Sequence, residues 1–246
     1  MFDVDSEEDD NAQYIAQVID KGFKFDNQDV NIDADGYYQP KAGEIINPTS
    51  SMKLDDQLRP ITQAQYKIIQ MAGKGVFSNV VKAENISLAE GHANRLVGIK
   101  IVRMRDIMIQ SGQKERQILK DLNQTDPDDK RFIVRMLDSF EYRKHLCIVF
   151  EYLHSNLREV LKRFGKSIGL SLEGVRMYSK QLFIALQYLR KNDIIHADLK
   201  PDNILVTEDL SKIKLCDFGT AFSVDERKIT EYLASGYYRA PEVMIG

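Results

Sequence analysis

Cysteine is scarce in this 246-residue chain, which has only Cys147 and Cys216. Two thiols cannot build a disulfide framework. Each stands in an apolar, strand-like run, so both are expected to be reduced core residues of an intracellular protein. No secretory leader is expected either, since Met1-Phe2-Asp3-Val4-Asp5 runs into Ser6-Glu7-Glu8-Asp9-Asp10 with neither a basic nor an apolar region. No apolar run approaches the roughly 20 residues that span a bilayer. Asn85-Ile86-Ser87 and Asn123-Gln124-Thr125 fit the glycosylation pattern, but an intracellular location makes both matches accidental. Secreted, membrane-spanning and disulfide-stapled classes are set aside. No internal repeat is present either.

What is there is unevenly charged. The net charge is −3, yet residues 1–60 carry 14 acidic and 5 basic side chains, and the remainder carries 23 acidic and 29 basic. An acidic arm is joined to a mildly basic body. Residues 1–65 lack sustained periodicity and read as an acidic, largely disordered extension. The alternative is that an apolar patch such as Tyr14-Ile15 or Gly36-Tyr37-Tyr38 clips onto the body.

From Tyr66 the pattern is structured. Tyr66–Met71 and Asn79–Ala83 read as strands joined by a glycine-bearing turn, and Leu96–Val102 as a third. A helix is expected from about Met108 to Leu122, then strands at Ile133–Leu137 and Leu146–Phe150. A long helix should follow with Ser171 as N-cap, packing a stripe of Val175, Tyr178, Leu182, Ala185, Leu186 and Leu189. Short strands are expected at Ile204–Val206 and Ile213–Cys216. The segregated order predicts an α+β fold with two lobes rather than a doubly wound sheet.

Several motifs carry chemistry. Gly73 and Gly75, in Gly73-Lys74-Gly75-Val76-Phe77-Ser78, lie between the first two strands, where glycines let backbone amides approach a phosphate without an intervening Cβ. Alone, such a hairpin is more often only a turn. Lys100 stands on the third strand, where burial requires a partner, and Glu115 on the next helix is the candidate. Read alone, they would be two surface charges. The specific signal is His196-Ala197-Asp198-Leu199-Lys200-Pro201-Asp202-Asn203 followed by Asp217-Phe218-Gly219 and Ala240-Pro241-Glu242. Asn203 and Asp217 offer the hard oxygens that Mg2+ takes beside a triphosphate. Asp198 can accept or orient the proton of an attacking hydroxyl, and Lys200 can neutralise charge on the transferred group.

This set, from about Tyr66 to the last residue, resembles the eukaryotic protein kinases. The resemblance implies the two-lobed kinase fold, with an N-lobe at about 66–150 and a partial C-lobe at 151–246, and the use of ATP and Mg2+. It implies that Ala72, Val80, Gly98 and Leu205 sandwich the adenine, with Phe150 behind it and Glu151 and Leu153 bonding it through the hinge backbone. Lys200 two residues after Asp198 resembles the serine/threonine type. His196-Ala197-Asp198, Asp126-Pro127-Asp128-Asp129-Lys130 and Asn156-Leu157-Arg158-Glu159-Val160-Leu161-Lys162 further resemble the pre-mRNA-processing kinases of the CMGC group, relatives of the dual-specificity tyrosine-regulated kinases. So does Asp33-Ala34-Asp35-Gly36-Tyr37-Tyr38 in the arm. That likeness implies nuclear location, with the cytoplasm as the alternative, and splicing factors among the protein substrates; no direct nucleic-acid binding, no membrane association and a monomer are expected.

Departures from the family pattern shape the expectations. Ala197 replaces the usual arginine, so activation through an arginine-anchored phosphate is not expected. Tyr232 holds the place of a self-phosphorylated tyrosine, with a buried, hydrogen-bonded tyrosine as the alternative. Thr230 is a weaker phosphosite, and Ser235 matches the hydroxyl that would bond Asp198 and Lys200. Gly236 stands where an arginine organises proline-directed specificity. The chain stops shortly after Ala240-Pro241-Glu242, so the C-lobe is expected to be incomplete. The competing reading is therefore a truncated nucleotide-binding pseudokinase or scaffold without turnover.

Overall fold

The computed structural model describes residues 31–47, 64–165, 168–226 and 235–245. Six antiparallel strands form the first lobe, in the order β1-β2-β3-β4-β6-β5. They are β1 (Ile45–Ile46), β2 (Tyr66–Lys74), β3 (Ser78–Asn85), β4 (Leu96–Val102), β5 (Met136–Tyr142) and β6 (His145–Glu151). Along β4 the side chains alternate. Val97, Ile99 and Ile101 enter the sheet core with Tyr66, Val81 and Val149, so Gly98 and Lys100 share the opposite face. The β5–β6 turn places Arg143 and Lys144 at φ 47° and 66°. Positive φ at both central residues marks the mirror-image turn that matches strand twist.

Helix α1 (Asp106–Thr125) crosses this sheet. Its Ile118, Leu119 and Leu122 reach into a second core with α3 (Leu172–Lys191), β9 (Ile204–Val206) and β10 (Ile213–Leu215). α1 thus gives its apolar side chains to the second core, while Gly112 brings it close against Val102 and Leu146 of the sheet. The second lobe also holds β7 (Ser155–Asn156), α2 (Leu157–Val160), β8 (Ile194–Ile195) and β11 (Phe222–Ser223), and ends in α4 (Pro241–Ile245). β7 joins β9 and β10, and β8 pairs with β11. Ser171 Oγ accepts the Gly174 N–H at 3.2 Å, the expected cap of α3.

Three expectations change. Ile133–Arg135 are not strand: Ile133 forms a lone parallel bridge to Leu215, and Val134 N–H donates to Leu215 O at 3.0 Å. Their apolar side chains are drawn into the second core, so β5 starts only at Met136. On α3, Val175 is exposed whereas Tyr188 is buried. Contact with the β9–β10 turn begins one helical turn later, where the Tyr178 hydroxyl donates to Leu210 O at 2.8 Å. In the acidic arm, residues 31–47 are packed rather than free. Tyr37 and Tyr38 are buried and Ile46 lies in the sheet core, as the docking alternative requires for Gly36-Tyr37-Tyr38. Tyr14-Ile15 lies outside the described residues. No helix among the described residues is long and apolar enough to cross a membrane. Cys147 is buried and Cys216 half-buried, both as free thiols.

Candidate active site

Lys100 is the centre of an ion triad between the lobes, in which Lys100 and Glu115 are buried and Asp217 is partly exposed. Its Nζ donates to Glu115 Oε2 and to Asp217 Oδ1, both at 2.7 Å. Register sets the lysine: β4 places it opposite Val80 on β3 and Ile148 on β6. Burial alone would lower its pKa, but the charges of Asp217 and Glu115 outweigh this and raise it. Burial pushes the Glu115 carboxyl up despite Lys100. At Asp217 burial is outweighed by the Lys100 charge, which holds that carboxyl below its ordinary range. Glu115 Oε1 also accepts the Phe218 N–H at 3.2 Å, and Ser111 Oγ donates to Gly219 O at 2.6 Å. α1 is thus tied to the Asp217-Phe218-Gly219 turn at two points. Phe218 is fully buried against the His196 ring, 4.9 Å between centroids.

His196 organises the loop after β8. Asp198 N–H donates to its Nδ1 at 3.2 Å, so the ring proton sits on Nε2, which donates to Cys216 O at 2.9 Å. Burial lowers its pKa, and the ring is neutral. Ala197 at φ 66° and Asp217 at φ 62° are non-glycine residues in the left-handed region, a conformation that clusters at functional sites.

Asp198, Lys200, Asn203 and Ser235 converge. Lys200 Nζ donates to Ser235 Oγ at 3.0 Å, and Ser235 Oγ donates to Asp198 Oδ1 at 2.8 Å. Asp198 Oδ2 accepts from Asn203 Nδ2 at 2.9 Å and lies 3.2 Å from Lys200 Nζ. Asn203 Nδ2 also donates to Asp198 O at 2.9 Å, which leaves the Asn203 amide oxygen as its metal-type donor. Among the described residues there is no cluster of three or more His, Cys, Asp or Glu for a metal. One carboxylate and one amide oxygen instead suit Mg2+, which completes its shell from phosphates and water.

The expected nucleotide walls lie in half-covered positions. Val80, Gly98, Phe150, Glu151, Leu153 and Leu205 are each partly buried, and Ala72, Gly73 and Gly75 are exposed. Gly98 pairs with Phe150 across β4 and β6, and a Cβ there would meet nothing within 4 Å. The Glu151 side chain is committed elsewhere: it accepts from Arg135 N–H at 2.8 Å and from Lys214 Nζ at 2.6 Å. Only its backbone remains for a hinge role. Thr230 and Tyr232 lie outside the described residues.

Some residues near the site carried no sequence expectation. Arg158 clamps Asp202 with bonds of 2.6 and 2.8 Å and donates to the Tyr238 hydroxyl at 3.0 Å. Lys214, buried, bridges Glu151 and Asp129. Arg158, Asp202 and Asp129 all stood inside conspicuous motifs, but their pairing is invisible without the fold.

Residues 66–246 match the protein kinase domain family, and the chain belongs to it. It is similar to the serine/threonine-protein kinase prpf4B of Dictyostelium discoideum, 44% identical over 216 residues that make up 87% of this chain and 24% of that protein. The serine/threonine-protein kinase prp4 of Schizosaccharomyces pombe is 39% identical over 221 residues, 90% of this chain and 42% of that protein. The dual specificity protein kinase YAK1 of Saccharomyces cerevisiae is 36% identical over 203 residues, 82% and 24% of the two chains. The chain spans less than half the length of each of these relatives.

Proposed function

We propose that the chain is the catalytic part of a protein serine/threonine kinase, moving the γ-phosphoryl of MgATP to a protein hydroxyl. Its resemblance to pre-mRNA-processing kinases suggests nuclear splicing factors as substrates. One observation carries this reading: Lys100 held between Glu115 and Asp217, with Asp198 held by Ser235, Lys200 and Asn203.

In this reading Lys100 binds the α- and β-phosphates, and Glu115 keeps its ammonium in place. Asn203 and Asp217 hold Mg2+, which would neutralise phosphate charge. Asp198 takes the proton as the substrate oxygen bonds to the γ-phosphorus and the bond to the leaving ADP breaks. Lys200 sits beside that centre and stabilises the charge on the transferring group. Ala72, Val80, Gly98 and Leu205 enclose the base, Phe150 closes the back, and Glu151 and Leu153 offer backbone groups. Gly73 and Gly75 leave room for loop amides at the phosphates. Ser235 orients Asp198, whereas Tyr232 and Thr230 are proposed phosphosites. A Cβ at Gly236 would meet nothing within 4 Å, so packing does not demand glycine there. Its lack of an arginine points to targets that are not proline-directed.

A nucleotide-binding scaffold without turnover is the less supported reading, because the groups that turnover needs stand together. The test is transfer of radiolabelled phosphate to a splicing-factor substrate, with MgATP affinity measured in parallel. Asp198→Asn should lower kcat by about 10²–10⁴-fold with MgATP binding retained. Equal transfer by both forms, or stabilisation by MgATP without any transfer, would sink the kinase reading.

A further inference from the structure

The segment 31–47 reaches the glycine-bearing turn between β2 and β3. The Tyr37 hydroxyl donates to Gly75 O at 3.1 Å and to Val76 O at 2.9 Å. Its ring lies under two cations, with Arg103 4.4 Å and Lys74 4.9 Å from the centroid. The backbone around it is anchored independently. Arg103 Nε donates to Asp35 O at 2.6 Å, Met104 N–H to Gly36 O at 2.8 Å, and Asn79 Nδ2 to Tyr38 O at 2.8 Å. Tyr37 is therefore a fixed post, and the turn is what it holds. The turn has little side-chain packing of its own: a Cβ at Gly73 would meet nothing within 4 Å, and one at Gly75 only Ser78 O at 3.8 Å.

In a trans peptide the C=O and N–H of one unit point in opposite directions. Drawing the carbonyls of Gly75 and Val76 toward Tyr37 therefore turns the N–H groups of Val76 and Phe77 to the other side. We propose that Tyr37 is a positioning residue for the nucleotide, its hydroxyl orienting two successive peptide planes so that the Val76 and Phe77 amides face the phosphates. The proposal rests on the nucleotide reading of this turn. It gives the acidic arm a part in the site, with a residue outside the matched kinase domain setting ATP affinity.

Tyr37→Phe removes the hydroxyl and keeps the ring between its cations. Tyr142→Phe is the comparison, since it loses a 3.2 Å bond to Glu44 that anchors the same segment away from the turn. In the nucleotide-free chain, backbone order parameters of Val76 and Phe77 should fall in Tyr37→Phe and stay unchanged in Tyr142→Phe. Affinity for MgATP should weaken about three- to tenfold in Tyr37→Phe alone, the loss of one shared hydrogen bond. KM for ATP should rise with it, with kcat within twofold. Unchanged order parameters, or equal weakening in both variants, would overturn the clamp. A wild-type chain that binds no MgATP would overturn the nucleotide reading and the proposal together, whereas wild-type binding with unaltered Tyr37→Phe affinity removes the clamp alone.

Discussion

Lys100 stays charged in a buried position because two carboxylates share it, and His196 stays neutral in one because burial disfavours its charged form and its Nδ1 accepts the Asp198 N–H. The histidine makes a testable pH dependence. Its pKa is lowered from the ordinary 6.5 by burial, so below about pH 6.5 the unfolded chain binds the proton more readily than the folded one. The stability this confers is fully present above that pH and is lost as pH falls toward the folded value, by at most about 1.4 kcal/mol per pH unit. Asp217 is lowered from 3.8, so its loss follows the same sign at more acid pH. Glu115, raised from 4.5 by burial, acts with the opposite sign just above that value. Urea melts from pH 7 to 5 should therefore show a flatter pH slope for His196→Gln than for the wild type. Identical slopes would remove His196 as the source. At this scale the sequence showed the ionisable groups and their spacing. Lys100 and Glu115 are only 15 residues apart, on one strand and the helix that follows it, so a partner for a buried lysine could be sought nearby. Lys214 could not be placed, because its partners Asp129 and Glu151 are 85 and 63 residues away.

Helix α1 positions Glu115, and its own seat is set by a glycine. A Cβ at Gly112 would meet Val102 Cγ2 at 2.9 Å and Leu146 Cδ2 at 3.1 Å. Alanine in a helix normally gains about 1 kcal/mol over glycine. Here Val102 is itself buried on β4 and has little freedom to yield, so overpacking decides the sign. Gly112→Ala should destabilise by about 1–3 kcal/mol, lowering the urea midpoint. It should also weaken MgATP binding, because Glu115 moves with the helix one turn on. A stabilised Gly112→Ala would show that the helix has slack against the sheet. The existence of α1, β4, β6 and α3 was legible from local periodicity and a serine cap. Ile133–Leu137 misled for the same reason, since an apolar run shows that residues are buried and not which core takes them.

At the scale of the molecule, residues 31–47 close one edge of the six-stranded sheet and reach the turn over the candidate site. Tyr38 and Ile46 are almost fully buried, each worth about 1.5–3 kcal/mol of apolar burial. Arg103, also buried, bonds Asp35. A chain beginning at residue 48 should therefore melt at a clearly lower temperature by scanning fluorimetry. An unchanged melting temperature would mean that this packing contributes nothing. The acidic composition of the arm argued for disorder, and composition is silent about which few apolar residues find a pocket. By itself the sequence determined the family and the two-lobed class, and it singled out the candidate reacting groups, because those follow from residue type, order and local period. Only the tertiary structure decided that Lys100 meets Asp217, 117 residues on, and that Tyr37 meets Gly75 and Val76, 38 and 39 residues on. Such bonds act over about 3 Å, and distance along the chain says nothing about them until the fold has closed.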